Sequence, residues 1–278
     1  MKLWMAPLWL SIALTLALPS HAVDGVIEIN DARALAGGVT PTDTAGYPVT
    51  IDQRGSYRLT GDLGVSGTNQ NVVEISAEDV VLDLNGFTIR CLFVFTPCAG
   101  QGSGVGINIS ATENVVVRNG TVRDMPSSGI GGTGAVLENV AVLDNGGGGI
   151  SIGGGTVRDS EIRGNTGIGI GFNQSEVSVI GSTIAGNSST GIRSDGGVIS
   201  GNTIAFNAAG IDTAGSVSAL LIIDNVINNN AGFAIDAGAN AAYGRNVLAG
   251  NNSGAEVQVS GTILDLGQNV CGTDLVCP

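Results

Sequence analysis

Aliphatic residues recur along this chain with a long period. From residue 142 onward an aliphatic residue is followed three places later by Asn, and about five places after that by a second aliphatic. Val142, Asn145 and Ile150 form one copy; Ile162, Asn165 and Ile170 form the next. The pattern continues as Ile184, Asn187, Ile192; Ile204, Asn207, Ile211; Ile227, Asn230, Ile235; and Leu248, Asn251, Val257. Successive first members lie 20, 22, 20, 23 and 21 residues apart. A sustained period of that size marks a solenoid, in which each repeat buries its apolar face against its neighbours.

Strands, not helices, fill the repeats. The 45 glycines and the many β-branched residues disfavour helix. The apolar segments between Gly or Asn are only about three to six residues long, which is strand length. Parallel strands in an ordinary sheet need long crossovers, whereas in a coil each strand pairs with its equivalent one turn later. Equivalent side chains then stack at about 4.8 Å. Rows of Ile and Val fill the interior, and Asn hydrogen-bonds along its own row while tolerating a sharp corner. The expected fold is all-β: a single-stranded parallel β-helix with an N-terminal cap. Roughly nine or ten coils give a rod on the order of 45 Å.

The pattern divides the chain. Lys2 followed by an apolar run to Leu18, then Ser20-His21-Ala22, reads as a signal peptide over residues 1–22, cut near Ala22. The apolar run is too short for a membrane span, and nothing later resembles one. Residues 23–48 form a leader and cap, with a short helix from Asn30 to Ala36 stopped by Gly37 and Gly38. The β-helix occupies residues 49–270, with an insertion at 90–106, and residues 271–278 close the C-terminal end. Export places the protein in the periplasm or outside the cell.

Cleavage sharpens the composition, because the only lysine (Lys2), the only histidine (His21) and both tryptophans leave with the signal. Ten arginines then face 24 acidic residues, a net charge of −14. That excess argues against nucleic acid or an anionic membrane as partner. Four cysteines allow three connectivities. Nearest-neighbour pairing, Cys91 with Cys98 and Cys271 with Cys277, is expected because each pair brackets one loop. Neither pair has zinc-ligand spacing.

Two charged groups are candidates for chemistry. The position after each repeat Ile is Ser151, Gly171, Arg193, Asp212 and Asp236. Alternation turns it outward, so Arg193, Asp212 and Asp236 share one row. As a sugar-binding or hydrolytic patch, it would set Asp212 and Asp236 near the ~5 Å carboxylate separation of retaining glycosidases. As a surface row, the opposite charges simply neutralise one another, and this is the favoured reading. The second group is Arg118, Arg123, Asp124, Glu138, Asp144, Arg158, Asp159, Glu161 and Arg163. Its arginines suit uronate sugars and its carboxylates leave Ca²⁺ open as a ligand, but a solvated outer face is again favoured. No other cofactor is expected. Phe172, Phe206 and Phe233 are expected in the core.

The Leu82-Asp83-Leu84-Asn85-Gly86-Phe87-Thr88-Ile89 run, the aliphatic/Asn/Gly-Ile repeat and the closing Leu266-Gly267-Gln268-Asn269-Val270-Cys271 resemble right-handed parallel β-helix proteins of the pectate-lyase-like superfamily. More narrowly, they resemble its secreted bacterial repeat proteins. The resemblance covers residues 49–277 and implies fold, because this architecture hosts lyases, hydrolases, epimerases and adhesins alike. Polygalacturonase motifs are absent: Asn202-Thr203 continues with Ile204, and there is no Asp-Asp. The Trp-Ile-Asp-His segment of calcium-dependent pectate lyases is absent too. Loss of His and Lys removes the commonest general bases. Two functions stay open. One is association with or action on extracellular polysaccharide, as a lyase or hydrolase if an enzyme; the other is a non-catalytic structural or surface-interaction role.

Overall fold

The computed structural model describes residues 25–92, 98, 100–111, 113–172, 177–213, 218–255 and 257–272. The expected signal peptide lies outside these residues, as does Cys277 with its expected bridge to Cys271.

Among the described residues every strand pairing is parallel, and each coil contributes to three ladders. One ladder is a ten-stranded sheet running from Val49–Ile51 to Val259–Gly261. The other two merge into a 19-stranded sheet, because Val115–Arg123 and Ala135–Leu143 run unbroken around the bend between them. The expected all-β solenoid is therefore the observed one. At its N-terminal end Ile27–Ile29 extends a ladder by pairing with Gly55–Leu59. A helix follows at Asp31–Ala36, where the Asn30 side chain accepts from the Arg33 N–H at 2.9 Å and Gly37 ends the turn with φ 73°. Cys91 and Cys98 form a disulfide, with Cα atoms 6.1 Å apart.

Inward positions stack like on like. Ile130, Ile150, Ile170, Ile192, Ile211 and Ile235 are consecutive partners in the ten-stranded ladder. Val142, Ile162, Ile184, Ile204, Ile227 and Leu248 form a second column. All twelve are fully buried. Period-two alternation along each short strand decides which side chain joins the column.

Between the columns run two buried polar ladders. Asn145, Asn165, Asn187, Asn207, Asn230 and Asn251 occupy one bend, each at most 2% exposed. Each Nδ2 donates to the Oδ1 of the next Asn at 2.8–3.0 Å. The backbone N–H of each donates to that same oxygen at 2.9–3.2 Å. From Asn165 onward the second amide hydrogen goes to a carbonyl of the preceding coil, Ile162 O at 3.2 Å in the case of Asn187. All amide capacity is thus used. A second ladder, Ser160, Ser182, Asn202, Asn225, Asn246 and Asn269, lines the other bend. From Gly129 to Gly210 the residue before each inward Ile is glycine, crowded by the first ladder; the last copy has Ala234 there. A Cβ on Gly149 would lie 2.7 Å from Asn165 Nδ2 and 2.6 Å from Ile162 Cγ2.

Each ladder residue follows a residue with left-handed backbone. At one bend these are Asp144, Gly164, Gly186, Phe206, Asn229 and Gly250; at the other, Asp159, Gly181, Gly201, Asp224, Arg245 and Gln268. The left-handed residue turns the chain and aims the next side chain inward. One expected register differs at the last copy. Val259, not Val257, pairs with Ile235, and Val257 is exposed. The short 3-10 turn Asn252–Gly254 lengthens that coil. It brings Gln258 into the ladder, where its Oε1 accepts from the Asn251 amide at 3.0 Å and ends the column.

Two predictions follow from this interior. Asn187→Ala removes both acceptor and donor from the middle of the ladder and orphans buried groups on both neighbours. Stability to chemical denaturation should fall by about 3 kcal/mol; a loss below about 1 kcal/mol would mean that the ladder carries little. The second concerns pH. Burial pushes the Tyr57 phenol up to about 12. Burial, with a hydrogen bond to Asp31, pushes Tyr47 above its ordinary range, and burial raises Tyr243. Raised folded-state values mean that stability is intact below the unfolded value of about 10 and is lost as pH climbs towards 12. Phenolate absorbance should therefore appear together with unfolding; phenolate forming in folded protein near pH 10 would contradict the burial of these rings.

Candidate functional site

Outward positions stack as regularly as inward ones. In the ten-stranded ladder, Ser151, Gly171, Arg193, Asp212 and Asp236 are consecutive partners. Arg193, Asp212 and Asp236 therefore share one row on adjacent coils, as the repeat spacing predicts. Arg193 donates to Asp212 Oδ2 through Nε at 3.1 Å and Nη2 at 2.9 Å. Both side chains are partly exposed, so the pair adds at most about 1 kcal/mol to stability. Asp236 is exposed on the next coil.

Above Arg193 the row has a gap. Gly171 has no side chain between Ser151 and Arg193, and a depression of about 320 Å³ opens there, walled by Ile168 and Ser189. The guanidinium supplies donors and no acceptor, the serines supply both, and the carboxylates below supply acceptors. This arrangement can hold a hydroxyl-bearing ligand across several coils. For acid–base chemistry it offers only Asp212 and Asp236.

The second charged group lies on the 19-stranded sheet. Glu28, Arg58, Asp83, Arg118, Glu138 and Arg158 are consecutive partners of alternating sign. Arg118 reaches Asp83 at 3.1 Å and Glu138 at 3.9 Å, and Arg158 also pairs with Glu138. Arg123 pairs with Asp124 at 2.8 Å and Asp144 at 3.3 Å, and Arg163 with Glu161 at 3.1 Å. Opposite charges on neighbouring strands offset the repulsion that a stacked row of one sign would build. Asp159 alone of this group has no ion pair among the described residues. Among the described residues no three His, Cys, Asp or Glu side chains converge as metal ligands. Where the two ladders of this sheet meet, a groove of about 870 Å³ runs along the rod, lined by Asn119, Asn139, Asp159, Thr121, Glu161 and Thr183 among others.

A sequence model of the family described as "Right handed beta helix region" matches residues 103–253. The chain belongs to this right-handed β-helix family. Among solved structures, the β-helix protein is similar to the A-module of mannuronan C-5 epimerase AlgE4 from Azotobacter vinelandii. The two share 13% identity over 91% of this chain and 79% of that one, with a TM-score of 0.49. At that identity and score the likeness bears on neither activity nor substrate. Comparison with curated proteins finds no match. No helix among the described residues is long and apolar enough to cross a membrane.

One aromatic residue of the β-helix departs from expectation. Phe172 is buried and Phe233 intermediate, but Phe206 is 66% exposed. It occupies a left-handed corner with φ 58°, between Gly186 and Asn229 in the same row. The corner directs its side chain outward while Asn207 points in. Its aliphatic-rich surroundings in sequence hide this; the signal that reveals it is its place directly before a ladder Asn. The same signal finds the groove, since Asp159 and Gly181 directly precede Ser160 and Ser182. Left-handed backbone is unfavourable for a bulky residue by about 1–2 kcal/mol. Phe206→Asn should raise stability by about 0.5–1 kcal/mol by thermal or chemical unfolding; a measured loss would show that the ring makes a stabilising contact.

Proposed function

We propose that this β-helix protein is exported and associates with extracellular polysaccharide along its ten-stranded ladder. The carrying observation is the depression beside Arg193, which continues into the Arg193–Asp212–Asp236 row. A glycan is itself a periodic array of hydroxyls, so a straight row of donors and acceptors repeating every coil suits it, and the β-helix resemblance points the same way. Ser151 and Arg193 bind sugar oxygens from either side of Gly171; Asp212 holds the guanidinium in place; Asp236 accepts from hydroxyls on the next coil. Were the protein an enzyme, Asp212 and Asp236 would carry the acid–base work, and the carboxylates would be where Ca²⁺ acts. Export is supported by the apolar segment before Ala22 and by the Cys91–Cys98 disulfide, which persists in an oxidising compartment.

A second reading, a non-catalytic structural or surface-interaction protein, has its own support. Arg193 is already satisfied by Asp212, and the other charged row is neutralised by ion pairs.

The test is a panel of pectate, alginate, hyaluronan and neutral glycans, with and without Ca²⁺. Binding is followed by titration calorimetry, lyase activity by absorbance of unsaturated uronate, and hydrolysis by reducing ends. Polysaccharide association predicts binding to at least one member, weakened at least about fivefold by Arg193→Ala, or about 1 kcal/mol. Absence of binding by folded protein across the panel would leave the structural reading.

A further inference from the structure

The groove on the 19-stranded sheet is separate from the Arg193 row, on the other two faces of each coil. Asn119, Asn139 and Asp159 have left-handed backbone and follow the register of Arg118, Glu138 and Arg158, so they step along the rod one coil at a time. Thr121 and Glu161 flank Ala141 in the neighbouring ladder, and Thr183 follows Glu161. One wall therefore carries two amides and the Asp159 carboxylate at the strand interval of about 4.8 Å; the other carries Thr121 and Thr183 three coils apart, with Ala141 and Glu161 between them. Asn139 Nδ2 donates to Asn119 Oδ1 at 3.0 Å, which sets the amides in one orientation and leaves further donor and acceptor capacity facing outward.

Charge decides what such a groove accepts. Among the described residues no arginine lines it, whereas three carboxylates do. Asp83 and Glu161 are engaged by Arg118 and Arg163, both outside the lining, and Asp159 has no ion pair among the described residues. The groove is thus polar with a net negative rim. A uronate polymer would bring its carboxylates against the open Asp159 charge with no arginine in the lining to receive them. With two of the three acids already paired, a polycation finds one open charge among many neutral groups.

We propose that this groove is a binding site for an uncharged, hydroxyl-rich glycan lying along the rod axis. The amides and the two threonines supply donors and acceptors to sugars along the groove, and the carboxylates accept hydroxyl hydrogens while turning anionic glycans away. It needs neither Arg193 nor Asp236.

The test titrates the full chain with hexaoses of β-1,4-glucan, β-1,4-mannan, β-1,4-galactan, polygalacturonate and chitosan. At least one neutral hexaose should bind, with the polygalacturonate hexamer at least tenfold weaker. Thr183→Arg, at an exposed strand position, fills the groove and should weaken the neutral hexaose at least tenfold, whereas Arg33→Ala, in the N-terminal helix and outside both sites, should leave that binding within twofold. Asp159→Asn, tolerated at a left-handed position, should narrow the preference over polygalacturonate at least threefold. Circular dichroism and melting temperature confirm that each variant is folded. Indifference to Thr183→Arg, failure of every neutral hexaose, or preference for polygalacturonate or chitosan would each overturn the assignment. Binding lost on Arg193→Ala but not Thr183→Arg would support the ladder-face reading and sink this one.

Discussion

The two buried polar ladders are the constraint on which the rest depends. A solenoid corner must turn the backbone sharply, and each turn strands N–H and C=O groups inside a dry core. An unpaired buried group is unfavourable by about 1–3 kcal/mol, and the penalty would recur at every corner of every coil. Asn meets it because one short side chain carries two donors and a two-lone-pair acceptor. Asn187 uses all of these, towards Asn165 and Ile162 on one side and Asn207 on the other. Such a ladder requires equivalent residues at one strand spacing, so it holds the coils in register, and glycine beside it follows from lack of space.

Once the register is held, the exterior has no freedom over which side chains become neighbours. Outward residues about 20 positions apart are brought side by side whether or not they interact well. That is how Arg193, Asp212 and Asp236 come into line, and how Glu28 to Arg158 become a row of alternating sign. The same geometry stacks the amides of Asn119 and Asn139 beside the ladder that carries Thr121, Ala141, Glu161 and Thr183 in the groove. Function on this scaffold is written in rows, with one residue per coil.

Much of this was legible in advance because the repeat is periodic. The Asn column from Asn145 to Asn251, the inward isoleucines and the outward Arg193 row all follow from counting. The second ladder was harder to see, since Ser160 and Ser182 stand where later coils have Asn and the spacing to the next aliphatic is only two. Val257 was misplaced because a short turn added residues within the last coil. Phe206 was misread because hydrophobicity alone puts a Phe inside, while its backbone conformation puts it out.

By itself the sequence determined the solenoid, the strand-rich coil and which residues share a row, because these depend on local period and on the two-residue alternation of a strand. Only the tertiary structure decided which arginine engages which carboxylate, that Asp159 is left without an ion pair among the described residues, and that a groove opens between two ladders. Those outcomes depend on the angle between neighbouring sheets and on side-chain reach across coils, and neither is encoded in spacing along the chain.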